Sequence, residues 1–241
     1  MSPASAPRGP VVLPDAVRSR LRTPEPVWLN EEGGLTFRDA AAGVFAKWNP
    51  AGTAISLAAE RDRLAWARPH HPVPEVVEYA ADETGELLVT RALPGDSAVA
   101  ERWLADPRTA VRAIGEGLRA LHEQLPVADC PFSWSTADRL ARRTPETRAE
   151  LGEAPPIEQL VVCHGDACAP NTLLGADGRW IAHVDLGTLG SGDRWADLAV
   201  ASMSLSWNYG DGFEAEFFAA YGVLPDVDRI RYYRALWNSG D

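Results

Sequence analysis

The chain of 241 residues has one lysine, Lys47; its other basic residues are 22 arginines. It is also short of positive charge overall. Against 34 acidic residues it sets 23 Lys and Arg, a formal net charge of −11 at pH 7. Nucleic acid binding asks for a basic face, so no nucleic-acid partner is expected. An acidic surface suits a cationic small molecule, whose approach it would steer. No apolar run approaches the roughly 18 residues of a transmembrane helix, so no membrane partner is expected. The opening M-S-P-A-S-A-P-R-G-P lacks a charged segment followed by an apolar one, so no secretory leader is expected. Cysteine is scarce and odd in number, at Cys130, Cys163 and Cys168, with no C-x-x-C pair. That pattern fits reduced thiols in the cytoplasm better than a disulfide framework or a zinc site.

What remains is ordinary globular material. Hydrophobic residues make up 46% and charged residues 24%, and the length suffices for a sizeable core in one domain or two small lobes. A short helix is expected near Asp15–Arg22. Strands are expected at Val27–Leu29 and Leu35–Arg38 around a turn at 31–34, and at Val44–Trp48. Ile55–Trp66 reads as a helix with one polar face, closed by Pro72 and Pro74. Strands follow at Val76–Tyr79 and Leu87–Thr90, so the first ninety residues read β-β-β-α-β-β. Pro94-Gly95-Asp96 punctuates the chain and sets the expected division into residues 1–93 and 94–241. Beyond it Val111, Ile114, Leu118 and Leu121 recur at helical spacing. Short strands are expected at Leu160–Cys163, Thr172–Leu174 and Trp180–Val184, the last two joined by a turn at 175–178. Helices are expected at Asp193–Ser206, Phe213–Tyr221 and Asp226–Trp237.

The segment C-H-G-D-A-C-A-P-N-T-L-L, followed by H-V-D-L-G, carries the chemistry. Asp166 and Asn171 stand at the two ends of one interstrand loop, and Asp185 lies just past the next hairpin. An Asp, an Asn five residues later and a following D-x-G form the set a nucleotide-dependent phosphotransferase needs. Asp166 can take the proton of an attacking hydroxyl, while Asn171 and Asp185 can hold Mg²⁺ against the phosphates. Asp and Asn are also ordinary turn formers, but turn chemistry does not ask for this spacing. His164 reads as a residue that orients the loop, His122 as structural, and His183 as facing away from the Asp that follows it.

Lys47 sits in the strand-like run V-F-A-K-W, in a chain that uses arginine everywhere else. An ammonium is a compact point charge, whereas a guanidinium is a broad fork, so the exception suggests a cation aimed at a triphosphate. Glu60, on the helix after it, is the expected partner; Glu75 and Glu78 are the competitors. Gly33-Gly34 reads either as a turn covering phosphates or as a plain hairpin turn, and it is not G-x-G-x-x-G. Asp197 reads either as a brace under the catalytic loop or as a first-turn acid that favours the helix dipole.

These segments, with A-A-E-R-D-R-L-A-W, L-L-V-T-R-A-L-P-G, L-R-A-L-H-E-Q-L-P-V-A-D-C-P-F and H-V-D-L-G-T-L-G-S-G-D-R-W-A-D-L-A, resemble the aminoglycoside phosphotransferases of the 3′- or 3″-hydroxyl type. The likeness runs from about Val27 to Tyr233. It implies an α+β, two-lobed, protein-kinase-like fold with a small β-rich N-lobe and a larger, mainly helical C-lobe. It implies ATP, or GTP, with Mg²⁺, and an aminoglycoside as acceptor. Carried over, Asp166 is the catalytic base, Asn171 and Asp185 are the metal ligands, and Lys47 and Glu60 position the triphosphate. The backbone of Thr90, Arg91 and Ala92 would meet the base. Two departures touch the acceptor half. The stretch between Phe132 and His164 is short for the family, and the final L-W-N-S-G-D lacks the family's paired acids. A kinase of another metabolite or antibiotic, and a nucleotide-binding pseudoenzyme, stand as the alternatives; a metal-dependent hydrolase would want clustered histidines.

Overall fold

In the computed structural model, which describes residues 7 and 9–240, the alternating residues before Pro94 fall on one antiparallel sheet. Its strands are β1 (Glu25–Leu29), β2 (Leu35–Asp39), β3 (Val44–Pro50), β4 (Val76–Asp82) and β5 (Gly85–Arg91), in the order β1-β2-β3-β5-β4. Successive side chains on a strand point to opposite faces. Val44 and Ala46 therefore turn one way, into a core with Phe37, Leu87 and Val89. Val17 of helix α1 (Asp15–Arg18) and Leu21 close that core. Helix α2 (Leu57–Ala67) packs over β3, β4 and β5, burying Leu57 and Leu64.

Two helix boundaries differ from expectation. α1 stops at Arg18 rather than reaching Arg22. The buried carboxylate of Asp39 takes the N–H groups of Arg22 and Thr23 at 2.8 and 3.1 Å, so the chain leaves the helix to reach it. Backbone bonds from Thr23, Ala42 and Arg22 hold the Asp39 carboxyl down at about 2. α2 starts at Leu57, not Ile55, because Ser56 caps it, accepting from Ala59 N at 3.2 Å; Ile55 stays outside and exposed.

Contacts divide the chain into two compact units: residues up to Pro69 with Val73–Leu93, and His70–Pro72 with residues from Pro94 onward. The second unit is mainly helical. After β6 (Asp96–Ser97) and α3 (Glu101–Leu104) comes α4 (Pro107–Gln124), with Asp106 as its cap and Pro107 in its first turn. α4 buries Val111, Ile114, Leu118 and Leu121, the stripe its spacing forecast. α5 (Thr136–Ala141) and α6 (Pro145–Leu151) follow, then β7 (Leu160–Cys163), β8 (Thr172–Leu174), β9 (Trp180–His183) and β10 (Gly190–Asp193). α7 (Arg194–Tyr209), α8 (Glu214–Tyr221) and α9 (Val227–Asn238) complete the described chain. α8 packs on α4 and α9 on α7. The order is α+β throughout, as expected.

The short segment before His164 is thus not bare. α5 and α6 are capped by Ser135 and Thr144 but bury no residue, so they leave no apolar period to read. β10, G-S-G-D, is a strand only by pairing: it runs antiparallel to β7, with Gly190 opposite Cys163. A Cβ at Gly190 would come within 2.5 Å of the Ser133 backbone, which crosses there.

His70–Pro72 join the second unit through the Pro72 carbonyl, which accepts from His183 N at 3.2 Å, and through the His71 ring. His71 Nδ1 donates to Gln124 Oε1 at 2.7 Å, and its Nε2 meets His183 Nδ1 at 2.9 Å. His71 also stacks on Trp180 at 5.6 Å. Since His71 Nδ1 carries a proton, the 2.9 Å contact makes His183 Nδ1 the donor and both rings neutral. Burial pushes His71 down to about 4 and His183 well below its usual value. Folded pKa values below the unfolded one give stability that is present above about 6.5 and lost as pH falls toward 4. At 1.36 kcal/mol per unit, His71 alone contributes up to about 3 kcal/mol. Urea midpoints should fall between pH 7 and 5, and His71→Gln should flatten that slope; equal slopes would remove the pair as its source.

Candidate active site

β7 delivers the chain from the core into His164, Gly165 and Asp166. Gly165 has φ +87, and a Cβ there would lie 2.3 Å from Thr188 O. Only glycine fits this turn without moving the neighbouring backbone. The loop hangs from one carboxylate. Asp197, in the first turn of α7 and 1% exposed, accepts from His164 N at 2.6 Å and from Gly165 N at 2.9 Å. It also accepts from His122 Nε2 at 2.9 Å, while His122 Nδ1 meets Tyr221 OH at 2.7 Å. Of the two readings left open for Asp197, the brace is the one the geometry displays.

The His164 ring is used locally. Its Nδ1 accepts from Asp166 N at 3.3 Å, so Nε2 carries the proton and donates to Val184 O at 3.0 Å. His164 therefore joins the loop to the end of β9 and is a loop-orienting residue.

Asp166, Asn171 and Asp185 come together around this turn. Asn171 ends a single turn, Ala169–Asn171, whose first N–H donates to Ser204 Oγ of α7 at 2.9 Å. Asn171 Nδ2 donates to Asp166 O at 2.9 Å and to Asp166 Oδ2 at 3.3 Å. The amide is thereby oriented, with its oxygen turned from the loop. Asp166 Oδ1 is buried and has no hydrogen-bond partner among the described residues. Burial pushes the Asp166 carboxyl up, and the negative charge of Asp185 adds to the push against the relief from Cys168 and Asn171. Asp185 is exposed, with φ +65, the only non-glycine residue at positive φ among those described. Asp tolerates that region better than most residues, at a cost of order 1–3 kcal/mol. The buried Leu186 beside it anchors the turn.

In the first unit, Lys47 stands on β3 opposite Thr36 and Leu88. Its Nζ lies 2.7 and 2.9 Å from the two oxygens of Glu60, which is 4% exposed. The rival acids are engaged elsewhere: Glu75 with Arg68 and Arg91, and Glu78 with Arg20. Gly33 and Gly34 form the β1–β2 turn, where Asn30 Oδ1 accepts from Gly34 N at 2.7 Å. Thr90 and Arg91 end β5, and the N–H groups of Arg91 and Ala92 donate to Glu75 O and Gly43 O, both at 2.9 Å. Those two N–H groups are thus engaged within the unit.

A magnesium ion usually takes one or two protein oxygens and keeps water or phosphate for the rest. The exposed Asp185 carboxylate and the oriented Asn171 oxygen fit that demand. The chemistry of this donor set, hard oxygens with no thiolate or imidazole, suits Mg²⁺ rather than zinc.

Sequence reading missed the link from His122 and Tyr221 to Asp197. The two partners of His122 lie 75 and 99 positions away. No local spacing signals such a bond.

Comparison with known proteins agrees in one direction. The profile described as "Phosphotransferase enzyme family" matches residues 27–233. The chain is 38% identical to streptomycin 3''-kinase of Streptomyces griseus, over 87% of this chain and 89% of that one. It is 37% identical to an aminoglycoside 3'-phosphotransferase of Streptomyces fradiae, over 78% and 81%. Among solved structures, the aminoglycoside phosphotransferase APH(3'')-Id from Streptomyces rimosus superposes with TM-score 0.72 at 32% identity, covering 90% of this chain and 92% of that one. The same enzyme in complex with ADP and streptomycin gives 0.69 at equal coverage.

Asp197→Ala would leave the His164 and Gly165 N–H groups buried without an acceptor. At about 1–3 kcal/mol for each of the two orphaned groups, a loss of roughly 2–6 kcal/mol is expected. Urea denaturation measures it, and hydrogen exchange at those two amides should accelerate. An unchanged midpoint would show that the carboxylate does not hold the loop.

Proposed function

The chain belongs to the phosphotransferase enzyme family, and on that premise we propose that it moves the γ-phosphoryl group of ATP to a hydroxyl of an aminoglycoside, in the cytoplasm. The observation that carries the reading is the Asp166 carboxylate, with one oxygen held by Asn171 and the other buried without a partner. A buried acceptor left open in a hydrogen-bonded loop is a place made for a donor that arrives with the substrate. The named relatives and the ADP and streptomycin complex point to the substrates.

In this reading the acceptor hydroxyl donates its proton to Asp166 Oδ1 as its oxygen bonds to the γ-phosphorus. The bond from that phosphorus to the β,γ-bridging oxygen breaks, ADP leaves, and Asp166 later returns the proton to water. The environment that raises the Asp166 carboxyl makes its ionised form a stronger base. Residues 1–93 serve the nucleotide, with Lys47, steered by Glu60, as the cation for the α- and β-phosphates. Residues 94–241 serve catalysis and the acceptor. Asp185 and Asn171 would hold Mg²⁺, which supplies charge neutralisation on the phosphates when bound. With the Arg91 and Ala92 amides engaged, the carbonyls of Arg91 and Ala92 are the groups this reading offers to the base. Gly33 and Gly34 serve here as a turn that sets the loop's path.

Asp166→Ala or Asp166→Asn should cut kcat by ~10²–10⁴-fold while ATP still binds. Turnover above a tenth of wild type would remove Asp166 as the base. Lys47→Ala should raise the KM for ATP and lower kcat. Lys47→Arg should not restore them, because the fork does not fit the ammonium's place beside Glu60. Excess chelator should stop turnover; full rates in its presence would remove Asn171 and Asp185 as metal ligands. A protein that binds ATP but phosphorylates no aminoglycoside would favour another acceptor or a pseudoenzyme.

A further inference from the structure

The hold of Glu60 on Lys47 depends on where α2 begins. Glu60 lies in the first turn of that helix, whose leading N–H groups have no acceptor inside the helix and which would fray if left to itself. Glu86 of β5 prevents this from the side. Its Oε2 accepts from Leu57 N, at the first residue of α2, at 2.7 Å, and its Oε1 accepts from Tyr79 OH of β4 at 2.6 Å. A carboxylate at a helix N-terminus also complements the helix dipole. The chain just before the helix is fixed as well. Asn49 Nδ2 donates to Ile55 O at 3.0 Å, and Ala54 N donates to Glu32 Oε2 at 2.7 Å.

Asn49 is 3% exposed and follows Lys47 on β3 at the alternate position, so it shares the same face of the sheet. The other end of its amide is used too. Asn49 Oδ1 accepts from Asn30 Nδ2 at 3.2 Å, and Asn30 Oδ1 accepts from Glu32 N and Gly34 N in the β1–β2 turn. That turn is pressed so close that a Cβ at Gly34 would run into Asn49 Oδ1. One buried amide therefore joins the strand of Lys47, the β1–β2 turn and the entry to α2. Breaking either of its bonds leaves a buried polar group without its partner, so the three pieces keep one arrangement.

We propose that Asn49 and Glu86 are positioning residues of the nucleotide site: they fix the first turn of α2, and so keep the Glu60 carboxylate on Lys47 in the placement that the α- and β-phosphates meet. This rests on the role proposed above for Lys47. Both residues act through Glu60 and take no part in the chemistry, which belongs to Asp166.

The single lysine of the chain makes the test site-specific. Acetylation of Lys47 by an N-hydroxysuccinimide ester, read by peptide mass, reports how firmly Glu60 holds the ammonium, because only the deprotonated amine attacks the ester. In wild type Lys47 should react slowly, and ATP should slow it further. Asn49→Ala and Glu86→Ala should each speed the acetylation and raise the KM for ATP about 2–10-fold, the range of one neutral hydrogen bond. The KM for streptomycin as acceptor should not move. Glu86→Gln keeps an oxygen for Leu57 N and an amide that can donate to the Tyr79 hydroxyl, so it should restore both readings. Asn49→Asp keeps the acceptor for Asn30 and loses only the donor to Ile55 O; it should also speed the acetylation, and it serves if Asn49→Ala does not fold. Acetylation rates and an ATP KM equal to wild type in these variants overturn the proposal, as does a streptomycin KM that rises along with the ATP KM. If ATP neither binds wild type nor protects Lys47, the nucleotide reading itself fails; faster acetylation in the variants then still upholds the hold on Lys47, and an unchanged rate overturns it.

Discussion

The carboxylate of Asp197 is the tie on which the catalytic loop depends. It is buried, and a buried charge persists only when its oxygens are well supplied with donors. The donors are two consecutive backbone amides, of His164 and Gly165, and the ring of His122. Consecutive N–H groups can point at one acceptor only if the chain turns sharply, and the positive φ of Gly165 makes that turn. The turn then fixes Asp166, whose own N–H is taken by His164. One helix-borne acid thus sets the backbone, and the backbone sets Asp166.

The same economy leaves one oxygen of Asp166 unsatisfied. Asn171 occupies one oxygen of Asp166, and the other has no hydrogen-bond partner among the described residues. Asp185 stands exposed in a strained backbone region, close enough that its charge disfavours ionisation of Asp166. Two carboxylates pushed together raise each other's free energy unless a cation or a proton donor intervenes. The stability that tolerates this comes from below, from the apolar packing of α4, α7 and α8 around Ile114, Leu198 and Phe217.

Much of this is legible in the amino-acid sequence itself. The strands of the first unit alternate clearly, and the long helices carry apolar stripes, because burial on one face imposes a period. The loop residues 164, 166, 171 and 185 were legible because their chemistry is local in sequence. What stayed hidden was set by distant partners. β10 has no apolar pattern, being defined by β7 and the crossing backbone at Ser133. α5 and α6 bury nothing, so capping alone marks them. α1 ends early because Asp39 draws off its following amides. The contacts of His122 with Asp197 and of His71 with His183 bridge 75 and 112 positions.

The arginine bias ties the composition to these structures. Arginines brace the surface as forks: Arg194 grips both oxygens of Glu158, and Arg112 and Arg108 share Glu216. Others lie over the rings of Trp103, Trp134 and Tyr79. Neither use suits the site on β3. There a buried carboxylate, Glu60, places both oxygens within 2.9 Å of a single nitrogen. A point charge can accept that geometry and still present donors to a third group, because an ammonium's three hydrogens rotate together. A guanidinium would lie edge-on to Glu60 and direct its remaining donors along fixed lines. The one lysine is therefore where a chain that otherwise prefers planar cations needs a round one.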